Sequence, residues 1–589
     1  MLKILKRMGV TEWALLAVSA VLVTLQVWLD LRIPDYMSRI TVLVKTEDSA
    51  VRDIWTAGGM MLLCAIASMV TTFVSGFVSA KLAAEFSRHL RSDIFRKVQS
   101  FSMEEIDRFS TASLITRSTN DVTQLQNFVS RGLLMVVRTP LTVGIALVKI
   151  AGKNWAWTSL TAGAVVIILL AVGFVVTYAH PRFRRMQSLT DDLNRATREN
   201  LTGIRVVRAY NAESYQEKKF SDSNDRLTNN AMLAQQAMAV MNPTMRLVNN
   251  GLTIGIYLIG AYAIQATAGG TGALGIFSEM VVFSNYASRI LFAFMNLNFI
   301  FMILPRATVC AERINEVLQT RPSIQDGSRT AGKPGQEGTV EFRNVSFRYP
   351  GAEGDTLTDI SFTAQKGETV AFIGATGSGK STLVNLIPRF YDATAGQVLL
   401  NGQDVREYTQ QSLRNLIGYA PQRVVLFTGT VESNVRYGDR GFMDSDREAE
   451  VQVKKAVSIA QAADFVERMP EGFASPIARG GSNVSGGQKQ RLAIARAVFR
   501  RPQIYIFDDS FSALDYKTDR ILRSKLKEET AGVTTLVVAQ RISTIRDADK
   551  ILVLDEGRIV GQGTHSQLMR SCQVYREIAF TQLSEEELA

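Results

Sequence analysis

A glycine-rich loop in the second half of the sequence has the composition needed to hold a chain of phosphates. Residues 369–373 predict a buried strand, and Gly-Ala-Thr-Gly-Ser-Gly-Lys-Ser-Thr follows at 374–382, directly before a helical run. Glycines let backbone N–H groups wrap phosphates, and the helix N-terminus adds a positive dipole end. We expect Lys380 to reach the β- and γ-phosphates and Ser381 to bind Mg²⁺. The predicted phosphate-binding residues are Gly374, Thr376, Gly377, Ser378, Gly379, Lys380, Ser381 and Thr382.

A carboxylate further along the chain completes the predicted magnesium site. The apolar run 504–507 predicts a strand that ends in Asp508. A buried Asp beside a phosphate loop can accept a hydrogen bond from a Mg²⁺-bound water. An apolar strand that ends in Asp is a weak signal alone, but the loop upstream makes Asp508 a strong candidate metal residue together with Ser381.

The elements that must position these groups belong to a chain of two unlike halves. The first half has apolar stretches long enough to cross a bilayer, which takes about 20 residues each. Basic residues flank these stretches, so the net charge of +11 indicates an inside-positive membrane protein and not nucleic-acid binding. We predict six spans with both termini in the cytoplasm. The spans are 13–34, 55–80, 132–151, 155–178, 246–268 and 276–304.

The two predicted cytoplasmic connections are about 50 and 65 residues long and rich in helix formers. A structureless loop of that length is improbable in a folded domain. We therefore predict helices that continue far beyond the membrane. Polar turns at 109–114 and 210–213 are expected to touch a cytoplasmic partner domain.

The second half predicts an α/β domain. Short β-branched runs alternate with helical segments, a pattern typical of a largely parallel sheet. We assign 1–320 to a helical transmembrane domain, 321–339 to a linker rich in turn formers, and 340–589 to the phosphate-binding domain. The predicted strands are 340–347, 369–373, 504–507, 535–538 and 550–554.

Between the phosphate loop and Asp508 stands Asn-Val-Ser-Gly-Gly-Gln-Lys-Gln-Arg at 483–491, and here the chain resembles the ATP-binding cassette (ABC) family. The defining peptide of that family is LSGGQ, and Val484 replaces its leucine. The six spans resemble the exporter branch, which implies ATP and Mg²⁺ as cofactors and a domain-swapped pair of helical bundles. The resemblance also implies that Ser485, Gly486, Gly487 and Gln488 face the γ-phosphate of ATP bound to the other subunit.

Two further assignments follow from the resemblance. Tyr349, in Phe-Arg-Tyr-Pro, is similar to the aromatic residue that stacks on adenine; the alternative is an aromatic at the end of a strand that packs into the core. Gln422, in Tyr-Ala-Pro-Gln, is similar to the glutamine that senses Mg²⁺ and touches the transmembrane helices.

Two positions depart from the family pattern where catalysis takes place. The family's catalytic glutamate is replaced by Asp509, whose shorter side chain retracts the carboxylate, and its switch histidine is replaced by Gln540. A displacement of about 1 Å can cost on the order of a hundredfold in rate, and glutamine carries no positive charge. We therefore predict poor hydrolysis at this site and a heterodimer whose different partner supplies the glutamate and histidine. His565 is interpreted as structural.

The cargo is open at this stage. The sixth span is rich in Met and Phe, which suit varied apolar cargo but also ordinary helix packing. Arg138 and Arg289 are costly in hydrocarbon, so they are expected to face a watery cavity or a partner charge. The leading hypothesis is export of amphipathic or hydrophobic compounds across the cytoplasmic membrane of a bacterium, in contact with membrane lipid. Alternatives are a peptide, lipid or siderophore transporter, and an ATP-gated channel or regulatory subunit.

Overall fold

The computed structural model describes residues 1–45, 50–266, 271–439 and 446–582. The chain divides into two compact units. The first unit is Met1–Gln99 with Thr111–Thr320, and the second is Ser100–Ser110 with Arg321–Ala589.

The first unit is helical. Two short π-helices, Arg117–Asp121 and Phe128–Gly132, join α5, α6 and α7 into one continuous helical segment. The helices up to residue 319, with α4 belonging to the second unit, are α1 (Leu2–Leu5), α2 (Val10–Lys45), α3 (Val51–Gln99), α4 (Met103–Phe109), α5 (Thr111–Thr116), α6 (Val122–Asn127), α7 (Leu133–Ile150), α8 (Trp155–Thr202), α9 (Ile204–Ala209), α10 (Glu213–Ala239), α11 (Met241–Ala266) and α12 (Thr271–Gln319).

Several of these helices are longer than a bilayer is thick. The 49 residues of α3 extend about 73 Å at 1.5 Å per residue, more than twice a hydrocarbon core of about 30 Å. The predicted extension beyond the membrane is confirmed. Within the described residues, five helical segments are long and apolar enough to span a membrane. The sixth predicted span lies in α12, where the side chains of 297–299, 301 and 302 fall outside the description.

Part of the Met and Phe content of α12 packs inside the first unit. Met280 and Phe283 are 3% and 0% exposed, and the Phe283 ring lies 5.4 Å from that of Trp157 on α8. Packing is therefore the role of these two side chains. Phe292, which is half-exposed, is different and lines a cavity. Three further residues of the predicted sixth span have side chains outside the described part of the structure, namely Asn298, Phe299 and Met302.

The second unit contains the α/β domain expected from the sequence. Its strands are β1 (Val340–Phe347), β2 (Leu357–Ala364), β3 (Thr369–Gly374), β4 (Ala395–Leu400), β5 (Gln403–Asp404), β6 (Ile417–Ala420), β7 (Gly429–Thr430), β8 (Pro476–Ile477), β9 (Ile504–Asp508), β10 (Thr534–Val538), β11 (Lys550–Asp555) and β12 (Arg558–Gly563). Its helices after residue 320 are α13 (Lys380–Leu386), α14 (Gln410–Asn415), α15 (Val431–Arg436), α16 (Asp446–Ile459), α17 (Ala463–Val466), α18 (Gly486–Phe499), α19 (Tyr516–Glu529), α20 (Ile542–Ile545), α21 (His565–Ser571) and α22 (Gln573–Phe580).

The main sheet has the order β12-β11-β3-β10-β9-β6. All neighbours in it pair in parallel except β12, which is antiparallel to β11. Four of the five predicted strands lie in this sheet. The fifth, β1, does not: it pairs antiparallel with β2 and β4 in a separate four-stranded sheet. The short β-branched runs in the sequence do not reveal to which of the two sheets a strand belongs, because strands of both sheets bury one or both faces.

An eleven-residue segment from early in the chain belongs to the second unit. Its helix α4 carries Glu105, which accepts hydrogen bonds from the backbone N–H groups of Ser102 and Ser323, each at 2.8 Å. Tyr391 donates its hydroxyl to Asp107 at 3.0 Å. The predicted turn at 109–114 is wrong in extent, because only Ser110 leaves helical geometry, with φ of 59°, before α5 starts.

Candidate nucleotide site

The predicted phosphate, metal and catalytic residues meet at one edge of the main sheet. Strands β3, β10, β9 and β6 are parallel neighbours, so their carboxyl ends lie side by side. Ligands of open α/β sheets bind at this edge. The four strands lead, in that order, into the phosphate loop at 374–381, Gln540, Asp508 with Asp509, and Gln422.

The phosphate loop is held in a conformation that needs its glycines. Gly377 and Gly379 have φ of 88° and 94°, a region that favours glycine because other residues clash there. Space next to Gly377 is open, whereas a Cβ at Gly379 would lie 2.7 Å from Leu357. Lys380 donates its Nζ to the carbonyl oxygens of Gly374 and Ala375 at 2.9 and 2.7 Å. The ammonium group therefore lies across the mouth of the loop.

Ser381 and Asp508 form the pair expected to hold a metal ion. The Ser381 hydroxyl donates to Asp508 Oδ1 at 2.9 Å, and Asp508 is only 3% exposed. Burial raises the pKa of Asp508, and the neighbouring Asp509 raises it further. Burial also lowers the pKa of Lys380, and the carboxylates of Asp509 and Asp508 act in the opposite direction. The two acids and the one buried amine therefore form a tightly packed charged group that a cation would stabilise.

The two residues predicted to depart from the family's catalytic pattern contact each other. Gln540 donates its amide to Asp509 Oδ2 at 2.8 Å, and the Gln422 amide lies 3.5 Å from the same oxygen. Burial raises the pKa of Asp509, while the hydrogen bonds from Gln422 and Ser512 act in the opposite direction. Asp509 has φ of 49°, a left-handed conformation that Asp tolerates better than most residues. One carboxylate oxygen therefore faces two amide donors.

Tyr349 lies beside the helix that follows the phosphate loop. Its hydroxyl is 3.0 Å from Thr382 Oγ1, and its ring packs edge-on against Tyr391 with 5.3 Å between centroids. The side chain is half-buried. Both readings of Tyr349 are compatible with this position, because one ring face can pack while the other stays open to a base.

The signature residues 485–488 are organised by their own helix cap. Ser485 is the N-cap of α18: its hydroxyl accepts from the Gln488 N–H, and the Gln488 side chain accepts from the Ser485 N–H at 2.8 Å. This is a capping box. In the part of the chain that the structure describes, Ser485 and Gln488 form no hydrogen bond to the phosphate loop.

Gln490 was not identified from the sequence, yet it connects α18 to the catalytic loop. Its amide nitrogen lies 3.4 Å from the Asp509 carbonyl oxygen, and its side-chain oxygen accepts from the Ala513 N–H at 3.0 Å. The side chain is 7% exposed. The motifs used above do not assign a role to a glutamine at this position of the helix. The only sequence feature that could have pointed to Gln490 is its position two residues after the signature peptide.

Gln582 is a second residue that the sequence did not identify. Its amide donates to the Gln540 carbonyl oxygen and its side-chain oxygen accepts from the Ile542 N–H, both at 2.8 Å. It therefore fixes the backbone on both sides of Arg541, directly after the altered switch position. Contacts made by a residue 40 positions away are not readable from local patterns.

Among the described residues, His565 contacts Tyr575 and not the residues of this site. It is 8% exposed and its Nδ1 is 2.8 Å from the Tyr575 hydroxyl. Burial lowers its pKa, which favours the neutral imidazole. These contacts agree with a structural role. His89 contacts Glu12 in the first unit, and the side chain of His180 is outside the described residues.

The residues at the sheet edge fit ATP and Mg²⁺. The open side of Gly377 leaves room where a Cβ would stand, and the Lys380 ammonium supplies positive charge. A hydroxyl and a carboxylate oxygen are the hard donors that Mg²⁺ takes, so Ser381 with Asp508 would hold the ion. When bound, the ion neutralises charge on the phosphates.

Comparisons with known proteins agree with this arrangement. The ABC transporter transmembrane region family matches residues 16–292, and the ABC transporter family matches 357–512. An ABC transporter ATP-binding protein of Mycobacterium tuberculosis (strain H37Rv) is 41% identical, over 89% of this chain and 87% of that protein. An ATP-dependent lipid A-core flippase of Pseudomonas aeruginosa is 34% identical, over 87% of this chain and 82% of that protein.

A solved structure gives the same result. The structure of a bacterial Atm1-family ABC exporter with ATP bound is similar with a TM-score of 0.78 and 25% identity, covering 96% of this chain and 98% of that one. The chain belongs to the ABC transporter family. It is an exporter half in which a membrane-spanning helical domain is fused to an ATP-binding ATPase domain.

Proposed function

We propose that this chain is one half of a heterodimeric exporter of amphipathic or hydrophobic compounds, and that the ATP site built on its own phosphate loop hydrolyses slowly. The observation that carries the proposal is the 2.8 Å hydrogen bond from Gln540 to Asp509. It joins the two residues at which this chain departs from its family. The binding residues Lys380, Ser381 and Asp508 are all retained.

The roles proposed for the retained residues are binding roles. Lys380 and the loop amides hold the β- and γ-phosphates, Ser381 and Asp508 hold Mg²⁺ with Gln422 near the ion, and Tyr349 stacks on adenine. Each contact stabilises bound nucleotide without cleaving it. Charge-assisted hydrogen bonds of this kind are the strong ones in proteins.

The roles proposed for the altered residues explain slow cleavage. A general base must lie within hydrogen-bonding reach of the attacking water, and the side chain of Asp509 is one methylene shorter than glutamate. Gln540 donates a neutral amide and stabilises a developing negative charge less than a charged histidine does. Gln540 and Gln422 both approach Asp509 Oδ2, so this carboxylate oxygen already faces two amide donors.

The partner is proposed to be a different half-transporter that carries glutamate and histidine at these positions. The Ser485–Gln488 cap of this chain, at the N-terminus of α18, would then complete the partner's ATP site, because a helix N-terminus favours phosphate. We place the chain in the cytoplasmic membrane of a bacterium with both termini in the cytoplasm, because the basic residues lie on that side of the spans.

The test is ATP turnover by the purified two-chain complex. Asp509→Ala is expected to change turnover less than about twofold, whereas alanine at the partner's glutamate is expected to lower it about 100-fold or more. Asp555→Ala, at the end of β11, is the matched control for an aspartate lost from the same sheet. A large loss with Asp509→Ala and a small one in the partner would refute the assignment, as would brisk hydrolysis by this chain paired with itself.

Transport of a lipid is a second candidate, favoured by the identity with a lipid A-core flippase. Proteoliposomes with a fluorescent phospholipid and a fluorescent apolar dye separate the two cargoes in one assay. A channel or regulatory subunit would let cargo equilibrate but never concentrate it, so accumulation driven by ATP excludes that alternative.

A further inference from the structure

A charged cavity lies within the helices of the first unit. It has a volume of about 320 Å³ and is lined by α2, α7 and α12. Asp30 contributes a carboxylate, and Arg138 and Arg289 contribute two guanidinium groups. The prediction that these arginines face a cavity or a partner charge is confirmed, because both occur together. Charged groups within membrane-spanning helices are costly unless water, a partner charge or a ligand solvates them.

The charges in this cavity do not balance. Asp30 Oδ2 lies 3.6 Å from Arg138 and 4.0 Å from Arg289. Both distances exceed a direct hydrogen bond. The other carboxylate oxygen accepts from Ser68 at 2.5 Å. One anion therefore faces two cations, and the local excess is one positive charge.

A neighbouring cluster shows what a balanced site in the same helices looks like. Asp35 accepts from Lys149 and from the Tyr286 hydroxyl, each at 2.6 Å. Tyr286 is fully buried. One cation meets one anion at hydrogen-bond distance there, and a hydroxyl takes the second oxygen. Asp35 and Lys149 are therefore a structural ion pair. Around Asp30, by contrast, the guanidinium groups of Arg138 and Arg289 offer more N–H donors than its one carboxylate pairs with.

We propose that the cavity binds the anionic head of an amphipathic cargo, a carboxylate or a phosphate, and that Asp30 takes the place of that head group between transport cycles. The proposal rests on the proposed exporter function and names its substrate class. Guanidinium groups present planar forks that match both anions. An incoming anion competes with Asp30 for them, so release is eased when Asp30 returns.

The apolar part of the lining argues for an amphipathic molecule and not a free anion. Phe292 is 49% exposed, and with Leu31 and Val27 it borders the charged groups. An aromatic side chain left open beside two arginines gives an acyl chain or ring a surface to cover. A small soluble anion would gain nothing from it.

The experiment measures equilibrium binding to the full two-chain transporter without nucleotide. The probes are dodecanoic acid with a fluorophore at its far end and the primary amide of the same molecule. We expect the carboxylate to bind about tenfold more tightly than the amide. Arg289→Gln should abolish that difference, and Asp30→Asn should tighten carboxylate binding about threefold or more, because the competing anion is lost.

Lys149→Gln is the matched control, since it removes a cation of α7 that belongs to the balanced cluster. It should leave the ratio of carboxylate to amide affinity unchanged. If Arg289→Gln does not yield folded protein, Arg289→Lys keeps the charge but not the fork, and an intermediate ratio is expected. Nucleotide is absent throughout, so failure here would leave the proposed ATP asymmetry untouched.

Three results would overturn the proposal. One is an equal loss of both probes in Arg289→Gln. Another is unchanged or weaker carboxylate binding in Asp30→Asn. The third is displacement of the probe by acetate at the concentration where unlabelled dodecanoate displaces it, which would show a free-anion site.

Discussion

The two sides of the nucleotide site differ in what their side chains can still do. On the binding side, Lys380 and the Ser381–Asp508 pair keep the residue types that hold phosphate and magnesium. On the cleavage side, Asp509 and Gln540 have shortened or lost the reactive groups and bind each other instead. The proposed binding roles use a charged amine, a hydroxyl and a carboxylate, whereas cleavage depends on placing one carboxylate to within about 1 Å. Under the proposed roles, two substitutions slow hydrolysis at this site while its nucleotide stays bound.

The largest effect should come from restoring the cleavage side. With the partner's site inactivated, Asp509→Glu combined with Gln540→His is expected to raise ATP turnover about 100-fold, because the carboxylate regains its reach and the switch its charge. Steady-state phosphate release measures this. Gln540→His alone is the control, since it leaves the short carboxylate in place. No gain in the double variant would show that another feature limits hydrolysis.

The next effect tests the binding side. Lys380→Met is expected to weaken ATP binding at this site about 30-fold, from the loss of charged hydrogen bonds valued at about 2 kcal/mol. Fluorescent ATP titration of a complex with a blocked partner site gives the affinity. Lys454→Met, on the exposed surface of α16, should have no effect. Equal affinity in Lys380→Met would remove the basis for calling this side intact.

A smaller effect concerns the support beneath Asp509. Gln490→Leu removes the hydrogen-bond acceptor of the Ala513 N–H, a loss of about 0.5–1.5 kcal/mol for one hydrogen bond. The thermal midpoint of the nucleotide-binding unit is expected to fall by roughly 1–6 °C for that cost, as measured by differential scanning calorimetry. Gln573→Leu, whose hydrogen bond to Glu577 is exposed, should shift it little. A similar shift in both variants would contradict the role of Gln490.

The smallest expected effect concerns pH. It compares two buried carboxylates, Glu105 and Asp509, whose pKa values are shifted in opposite directions. Burial acts to raise the pKa of Glu105, but hydrogen bonds from Ser102 and Ser323 outweigh it and lower that pKa, unlike the raised pKa of Asp509. A carboxylate whose pKa is lowered in the folded state stabilises the fold. This stabilisation is fully present above the unfolded pKa of about 4.3 and is lost as the pH falls through the folded pKa. Hydrogen exchange in residues 100–110 should thus be constant from pH 8 to 6 after correction for intrinsic rates. Glu105→Gln should exchange faster throughout that range, and a pH-dependent rise in the unaltered chain would contradict this assignment.

Much of the nucleotide site follows from the sequence because its residues act locally. The spacing of glycines before Lys380 defines a loop by itself, and neighbouring parallel strands present the residues at or just after their carboxyl ends at one edge of the sheet. The contact between Asp509 and Gln540 was not predicted, although both positions were identified. Spacing tells which residues share an edge but not which side chains meet.

The parts that could not be predicted depend on distant contacts. Gln582 reaches the backbone at Gln540 and Ile542, and Asp30 meets arginines from two other helices. The sequence showed that Arg138 and Arg289 need a solvating environment, but the partner carboxylate on α2 carried no signal of its own. The assignment of β1 to a separate sheet was missed for the same reason, since pairing is decided by tertiary contacts.

The membership of α4 in the second unit has a consequence during synthesis of the chain. Glu105 finds its partner Ser323 only 218 residues later. At about 5–20 residues per second a ribosome needs roughly 10 to 40 seconds to reach it. During that interval Glu105 and Asp107 of α4 lack their partners Ser323 and Tyr391, so residues 321–589 alone do not make up the whole nucleotide-binding unit.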